Sequence, residues 1–328
     1  MTTQKILVTG GAGFIGSHLS SHLAERGRRI LIVDNFDNLY SPEEKELNLA
    51  RIQEQNCVEV SRLDICNEES IQRLMQDWRP DAVIHLAALA GVRSSFDRPL
   101  AYQQVNGYGT ACVLEACRLA KVRKVLFASS SSVYGATPNV PFREDDPDVH
   151  PISPYAATKL AGEHLCRSYT AYTDIGVVCL RFFSVYGPRQ RPDLVIRKFA
   201  ELIWRGQPIR VLGDGSCARD YTYVDDVVTA AAAALDLDCR FEVVNVGGAA
   251  PIALTEVIAE LEIVLGRKAG IVRDAAHPGD VPMTFADLTK ARRLLDYSPK
   301  VPFREGLKRT VEWNIAQMQA ADAAAGLS

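Results

Sequence analysis

The stretch Lys5-Ile-Leu-Val-Thr-Gly-Gly-Ala-Gly-Phe-Ile-Gly-Ser-His-Leu19 decides the fold of this 328-residue chain. An apolar run, KILVTG, ends in glycines and passes near Phe14 into a segment of helical periodicity. Gly10, Gly13 and Gly16 stand at the junction. One glycine there tolerates backbone angles closed to other residues, another lets the chain approach a pyrophosphate, and a third lets the helix lie close to the strand. Unpaired N–H groups at the helix start, together with the helix dipole, favour phosphate. The next apolar run, RILIVD, ends at Asp34, 24 residues after Gly10. A carboxylate in that place accepts hydrogen bonds from an adenosine ribose and repels a 2′-phosphate, so the pattern predicts a site for NAD rather than NADP. Asp64, after a third strand, is a candidate adenine contact, with a solvated turn as its alternative role.

Outward from this unit, strands and helices alternate. KILVTG, RILIVD, CVEVSRLD, DAVIHLA, KVLFAS and VVCLRFF read as strands, and SHLSSHLAERG, EESIQRLMQDW, ACVLEACRLA and ATKLAGEHLCRSYTAY as helices. Strands apolar throughout suit a parallel sheet covered on both faces, which predicts an α/β, Rossmann-type doubly wound fold. The texture changes at the proline-rich GPRQRPD, residues 187 to 193, while FEVVNVGG at 241 to 248 reads as a strand returning to the sheet. Residues 252 to 266 and 287 to 295 read as helices of a smaller C-terminal region. The expected division is therefore discontinuous: 1–185 and 222–250 form the NAD-binding domain, 186–221 and 251–319 a smaller, mainly helical substrate-binding domain, and 320–328 a flexible tail.

Composition narrows the function classes. A formal net charge of −3 with 23% charged residues offers no concentrated basic face for nucleic acid. Apolar runs are interrupted before membrane-spanning length, and the first strand begins by Lys5 without room for a leader, so the cytoplasm is the expected compartment. Eight cysteines form no CxxC pair and no cluster with the six histidines, which predicts free thiols and no metal site.

The more specific chemistry begins at Phe127. FASSSSVYG is followed by YAATK, which places Tyr155 and Lys159 four residues apart on one helical face. An ammonium there lowers the tyrosine pKa and orients a cofactor, while the Ser130 hydroxyl bonds a reacting alcohol or ketone.

With these motifs the chain resembles an extended short-chain dehydrogenase/reductase, specifically a nucleotide-sugar 4-epimerase. The resemblance runs from GGAGFIGS through HLAALAGVR, ASSSSVYG, YAATK, RFFSVYGPR, RDYTYVDD and HPGDVPMTFAD. It implies tightly held NAD, a UDP-sugar substrate and a homodimer formed through helices of the larger domain. It also implies that Tyr155 takes the C4 hydroxyl proton as hydride leaves C4 for the nicotinamide. Hydride then returns to the opposite face of the rotated 4-keto sugar. Ser130 polarises the C4 oxygen and Lys159 contacts the nicotinamide ribose. Phe14, Ile15, Ile65 and Ala87 complete the expected cofactor set, and Ser131 and Ser132 are candidates for positioning the sugar.

RFFSVYGPRQRPD and GDVPMTFAD are most similar to the UDP-glucuronate 4-epimerases. Ser184 and Arg191 are the candidate partners of a C6 carboxylate. Ser132 stands where the decarboxylases resemble SEVYG and the 4,6-dehydratases TDEVYG, so the missing acid favours epimerisation over either outcome. UDP-glucose and UDP-N-acetylglucosamine remain alternative substrates, and a nonenzymatic nucleotide-binding scaffold has no need of the Ser130, Tyr155 and Lys159 set. Arg219 is a candidate diphosphate contact or an ion-pair partner of Asp220 or Asp226. Arg93 is a candidate loop or substrate contact, and Asp280 a candidate uridine-ribose contact or a turn residue.

Overall fold

The structure is a computed structural model that describes residues 3–53, 55, 57–275 and 279–324. Strands β1 (Lys5–Thr9), β2 (Arg29–Asp34), β3 (Val58–Arg62), β4 (Ala82–His85), β5 (Lys124–Ser130) and β6 (Gly176–Phe182) occupy the runs read from sequence. The short strands β7 (Val185–Tyr186), β8 (Ile209–Leu212), β9 (Ala218–Asp220) and β10 (Thr222–Tyr223) follow, and β11 (Phe241–Val246) then returns to pair with β6. The seven-stranded sheet has the order β11-β6-β5-β4-β1-β2-β3, and every pairing in it is parallel.

Successive side chains of a strand leave opposite faces of the sheet. Ile6 and Val8 of β1 accordingly join Ile30, Ile84 and Val178 in one core, and Leu7 joins Leu31, Val83 and Val125 in the other. Both faces of the central strands are buried, which is why those runs are apolar without alternation, whereas the half-exposed edge strand β3 alternates. Leu7 is fully buried, and truncating such a residue to alanine costs about 2–5 kcal/mol.

Helices α1 (Phe14–Glu25), α2 (Pro42–Gln53), α3 (Glu68–Trp78), α4 (Val92–Asp97), α5 (Pro99–Tyr102), α6 (Gly109–Leu119), α7 (Pro154–Tyr172), α8 (Val195–Trp204), α9 (Val224–Asp236), α10 (Leu254–Leu265), α11 (Thr289–Leu295) and α12 (Phe303–Ala324) complete the chain. Leu19 and Leu23 of α1 cover one face of the sheet with Val227 and Ala231 of α9, whereas Ile71 and Met75 of α3 cover the other with Val113 and Cys117 of α6. Beyond the sheet, α8, α10 and α12 pack on one another, β9 pairs with β12 (Pro251–Ala253), and β8 with β13 (Ile271–Asp274).

The sequence reading did not name helices α2, α4, α5, α8 and α12. The buried face of α2 is Lys45, Asn48, Leu49 and Ile52, half of it polar, so its apolar period is faint. Helix α12 continues through Ala324, so the stretch expected to form a tail from Ala320 begins as helix; residues 325–328 lie outside those described. His277 and Pro278 of the HPGDVPMTFAD motif are outside them too. Among the described residues all eight cysteines are free thiols, no cluster could hold a metal, and no helix is long and apolar enough to cross a membrane.

Candidate active site

The C-terminal ends of β1, β2, β4 and β5 open on one cavity of about 820 Å3, the place where parallel α/β sheets bind ligands. Gly10 turns there with φ of +69°, and a Cβ on it would come within 2.7 Å of the Ala87 nitrogen. A Cβ on Gly16 would run into the Gly10 carbonyl, so α1 could not start so close to β1. Gly13, Phe14 and Ile15 line the cavity at the start of α1, whose free N–H groups present a partial positive charge. Ile65 and Ala87 also line it.

Asp34 is buried at the end of β2 and lines the same cavity. Its carboxylate accepts from the Phe36 N–H at 2.9 Å and the Ala12 N–H at 3.2 Å, with Lys45 Nζ 3.9 Å away. Burial pushes its pKa up, while Lys45 and the two amides push it down. Asp64 is not part of the lining: it accepts from Asn35 Nδ2 at 3.0 Å and from the Cys66 N–H at 2.8 Å, which ties two loops together. Asn35, Tyr40 and Lys45 line this end and were missed from sequence. Lys45 shares a helical face with Leu49 and Ile52, the one signal that could have placed it inward. The glycine cradle, the helix N-terminus and the carboxylate at the strand end together fit NAD.

At the other end, Ser153 caps α7 by accepting from the Ala156 N–H at 3.1 Å, and Pro154 suits the first turn. Tyr155 thus sits at the positive end of the helix, and Lys159 lies one turn on. Ser130 ends β5 and accepts from the Ser132 N–H at 3.2 Å, which starts a single 3-10 turn over Ser131–Tyr134. Ser130, Ser131, Ser132, Tyr155 and Lys159 all line the cavity.

The electrostatics differ from the sequence expectation in one respect. Burial pushes the Tyr155 phenol up, and the groups that oppose this are the Ser130 hydroxyl and the charge of Arg191, not Lys159. Lys159 Nζ instead donates to the Ala128 carbonyl at 2.8 Å, and burial pulls its pKa down to about 8.

The remaining candidates ring the outer end. Ser184 lines the cavity, as do Arg191 and Arg219. Arg191 pairs with Asp193 and donates to the Ala90 carbonyl at 3.2 Å. Arg219 donates to its neighbour's carbonyl, Ala218, and among the described residues no ion pair joins it to Asp220 or Asp226. Those two acids hold backbone instead: Asp220 accepts from the Gly248 and Ala286 N–H groups, and Asp226 from those of Lys300 and Val301. Arg93, the candidate loop or substrate contact, and Asp280, the candidate ribose contact or turn residue, also line the cavity and form a two-bond pair with each other at 2.9 and 3.2 Å.

Residues 7–310 match the family described as GDP-mannose 4,6 dehydratase. The chain belongs to this family of extended short-chain dehydrogenases/reductases. The member is 39% identical over 310 residues to a UDP-glucuronate 4-epimerase of Thermodesulfobacterium geofontis, which covers 94% of this chain and 95% of that one. A solved UDP-glucuronic acid 4-epimerase from Bacillus cereus, in complex with UDP-glucuronic acid and NAD, superposes with a TM-score of 0.91 at 37% identity, covering 96% of this chain and all of that one. The UDP-glucose 4-epimerase of Thermotoga maritima, solved with UDP-glucose, follows at a TM-score of 0.89 and 34% identity, covering 96% and 100%. The family description names a dehydratase, whereas these three relatives are epimerases.

Proposed function

We propose that this chain is an NAD-dependent UDP-sugar 4-epimerase that interconverts UDP-glucuronate and UDP-galacturonate. The observation that carries the reading is the opening of Ser130, Tyr155 and Lys159 onto the same cavity as the dinucleotide cradle, with Ser184 and Arg191 beside them. The epimerase relatives, two of them named for glucuronate, support it.

Bound NAD supplies a reversible hydride acceptor, so the conversion is redox-neutral overall. Gly10, Gly13, Phe14, Ile15 and Gly16 hold its phosphates, Asp34 the adenosine ribose and Lys159 the nicotinamide ribose. Tyr155, ionised under the Arg191 charge and the α7 N-terminus, takes the proton from the sugar C4 hydroxyl as C4 loses hydride. Ser130 donates to O4 throughout, and Tyr155 returns the proton to O4 after the 4-keto sugar has turned over. Ser131, Ser132 and Ser184 hold the sugar, Arg191 meets its C6 carboxylate, and Arg219 the diphosphate.

The serine run bears no carboxylic acid at Ser131 or Ser132, so no acid stands there to assist elimination or loss of carbon dioxide. The division into 1–185 with 222–250 and 186–221 with 251–319 is part of the same proposal, supported by the return of β11 to the main sheet. So is a homodimer, which a light-scattering mass tests.

A substrate panel tests the reading. Each purified UDP-sugar is incubated without added reductant, and epimer, pentose and keto products are resolved by chromatography and mass. Reversible exchange of glucuronate and galacturonate nucleotides is expected, with neutral sugars turned over poorly. Efficient turnover of UDP-glucose without glucuronate activity sinks the acidic substrate, and pentose formation replaces epimerisation by decarboxylation.

A further inference from the structure

Behind the serine turn lies an ion pair that the mechanism does not use. Glu163 of α7 and Arg181 of β6 are each only 5% exposed in their side chains and meet fork to fork, Nε to Oε1 at 2.9 Å and Nη2 to Oε2 at 2.8 Å. Ser129 donates to Glu163 Oε1 at 2.5 Å. Ser129 is paired with Arg181 across β5 and β6, and it immediately precedes Ser130. The Arg181 guanidinium also covers the Tyr134 ring at 4.7 Å, and the Tyr134 hydroxyl donates to Asn245 of β11 at 2.8 Å. One carboxylate therefore ties the helix that carries Tyr155 and Lys159 to the strand end that carries Ser130.

The tie has a regular spacing. Lys159 meets the Ala128 carbonyl, and one helical turn later Glu163 meets the Ser129 hydroxyl. Between them Gly162 lies so close to the Phe127 ring that a Cβ would collide with it. A helix sliding by a fraction of a turn would lose both polar contacts together. A buried pair of this kind is weak evidence for stability, because desolvating two charges offsets most of their attraction, so its presence calls for another role.

We propose that Glu163 is a positioning residue for the epimerase reaction: its carboxylate, one helical turn from Lys159 on α7, fixes the register of α7 on β5 and places a fixed negative charge on the lysine's side of the helix. This rests on the epimerase reading of Tyr155 and Lys159. The titratable and charged groups around Lys159 are Glu163, Cys166 and Tyr155 on its own helix, His85 on β4, and Cys179 and Arg181 on β6, with the Phe127 ring 5.2 Å away. His85 is neutral in its buried place, and burial pushes the Cys179 thiol well up. Burial pulls Lys159 down, Cys166 opposes this only when ionised, and Glu163 is the carboxylate that opposes it. Lys159 at about 8 sits where loss of its proton would end activity at mildly alkaline pH.

The test compares the parent with Glu163→Gln, both as full chains loaded with NAD, by the pH dependence of kcat for UDP-sugar epimerisation. A second readout is the pH dependence of NAD affinity, measured calorimetrically on stripped protein. The expected result is an alkaline limb moved down by about one pH unit in both. Glu163→Asp, which keeps the charge, returns the limb to the parent's position. If Glu163→Gln leaves Arg181 buried without a partner and does not fold, Glu163→Gln/Arg181→Gln replaces the pair by hydrogen-bonding amides, and the limb is expected to move in the same direction by a smaller amount, because the Arg181 charge is removed with it. A folded variant lacking the Glu163 carboxylate but showing the parent's limb in both readouts overturns the proposal. A parent that turns over no UDP-sugar overturns the epimerase reading instead, and the NAD titration still decides the role of Glu163.

Discussion

Arg191 and Asp193 meet fork to fork, Nε to Oδ1 at 2.9 Å and Nη2 to Oδ2 at 2.6 Å, and the guanidinium so held is the cation that acts on Tyr155. The Arg191 side chain is 12% exposed, whereas that of Asp193 is 53% exposed. The anion is thus the more accessible partner. On the proposed reading, a sugar carboxylate shares or replaces it without moving the positive charge away from the phenol.

Arg191→Met removes that charge. On the proposed reading, kcat/KM for UDP-glucuronate falls roughly 10- to 100-fold more than for UDP-glucose, the loss of one charge-assisted hydrogen bond. Turnover of both falls somewhat, because the Tyr155 phenol then ionises less readily. An equal loss on the two sugars would place Arg191 away from the carboxylate.

Tyr155→Phe removes the proposed proton-transfer oxygen and keeps the ring that packs edge-on against Tyr102. Turnover should fall by at least about 100-fold. NAD affinity should stay within about threefold, since the phenol adds little to the many phosphate and ribose contacts. Comparable turnover by variant and parent removes Tyr155 from the chemistry.

Asp34→Asn discards the charge and keeps an acceptor for one of the Ala12 and Phe36 N–H groups, which bond different oxygens of the carboxylate. The parent should carry NAD when the bound nucleotide is extracted and weighed. In the variant the preference for NAD over NADP should narrow by at least about tenfold, because a full charge near a 2′-phosphate is worth several kcal/mol before screening. Predominant NADP in the parent is incompatible with this role for Asp34.

His85 gives a pH signature of folding. Thr110 spends its proton on the Asn106 carbonyl at 2.6 Å, so His85 Nε2 donates to Thr110 Oγ1 at 3.0 Å, and Nδ1 accepts from Thr9 Oγ1 at 2.7 Å. Burial, and after it the Lys159 charge, pulls the ring down from 6.5 to about 3. Between these values the unfolded chain binds a proton that the folded one refuses, so stability falls as pH drops. Asp220, pushed up to about 6, acts with the opposite sign, so the whole chain does not isolate the effect. The difference between parent and His85→Gln in urea unfolding does. Between pH 6 and pH 5 it should shift against the parent by about 1.2 kcal/mol. A constant difference would show that folding leaves the proton affinity of the ring unchanged.

The strands, the glycine turn, Asp34 and the order of Ser130, Tyr155 and Lys159 were legible in the sequence because each rests on local chemistry. Apolar runs buried on both faces, a backbone conformation that needs glycine, and a four-residue spacing on a helix all act within a few residues. Helix α2 was not legible, because Lys45 and Asn48 are buried by what they meet in space: Lys45 donates to the Asp37 carbonyl at 2.7 Å and Asn48 to the Ala12 carbonyl at 3.1 Å. Only the tertiary structure paired Arg93 with Asp280 across 187 residues, turned Asp64 to Asn35, and gave Arg191 rather than Lys159 the charge that faces the phenol. Each of these depends on the direction of a side chain between distant segments. No periodicity records that direction, because it is set by which carbonyl or carboxylate the folded backbone brings within hydrogen-bond reach.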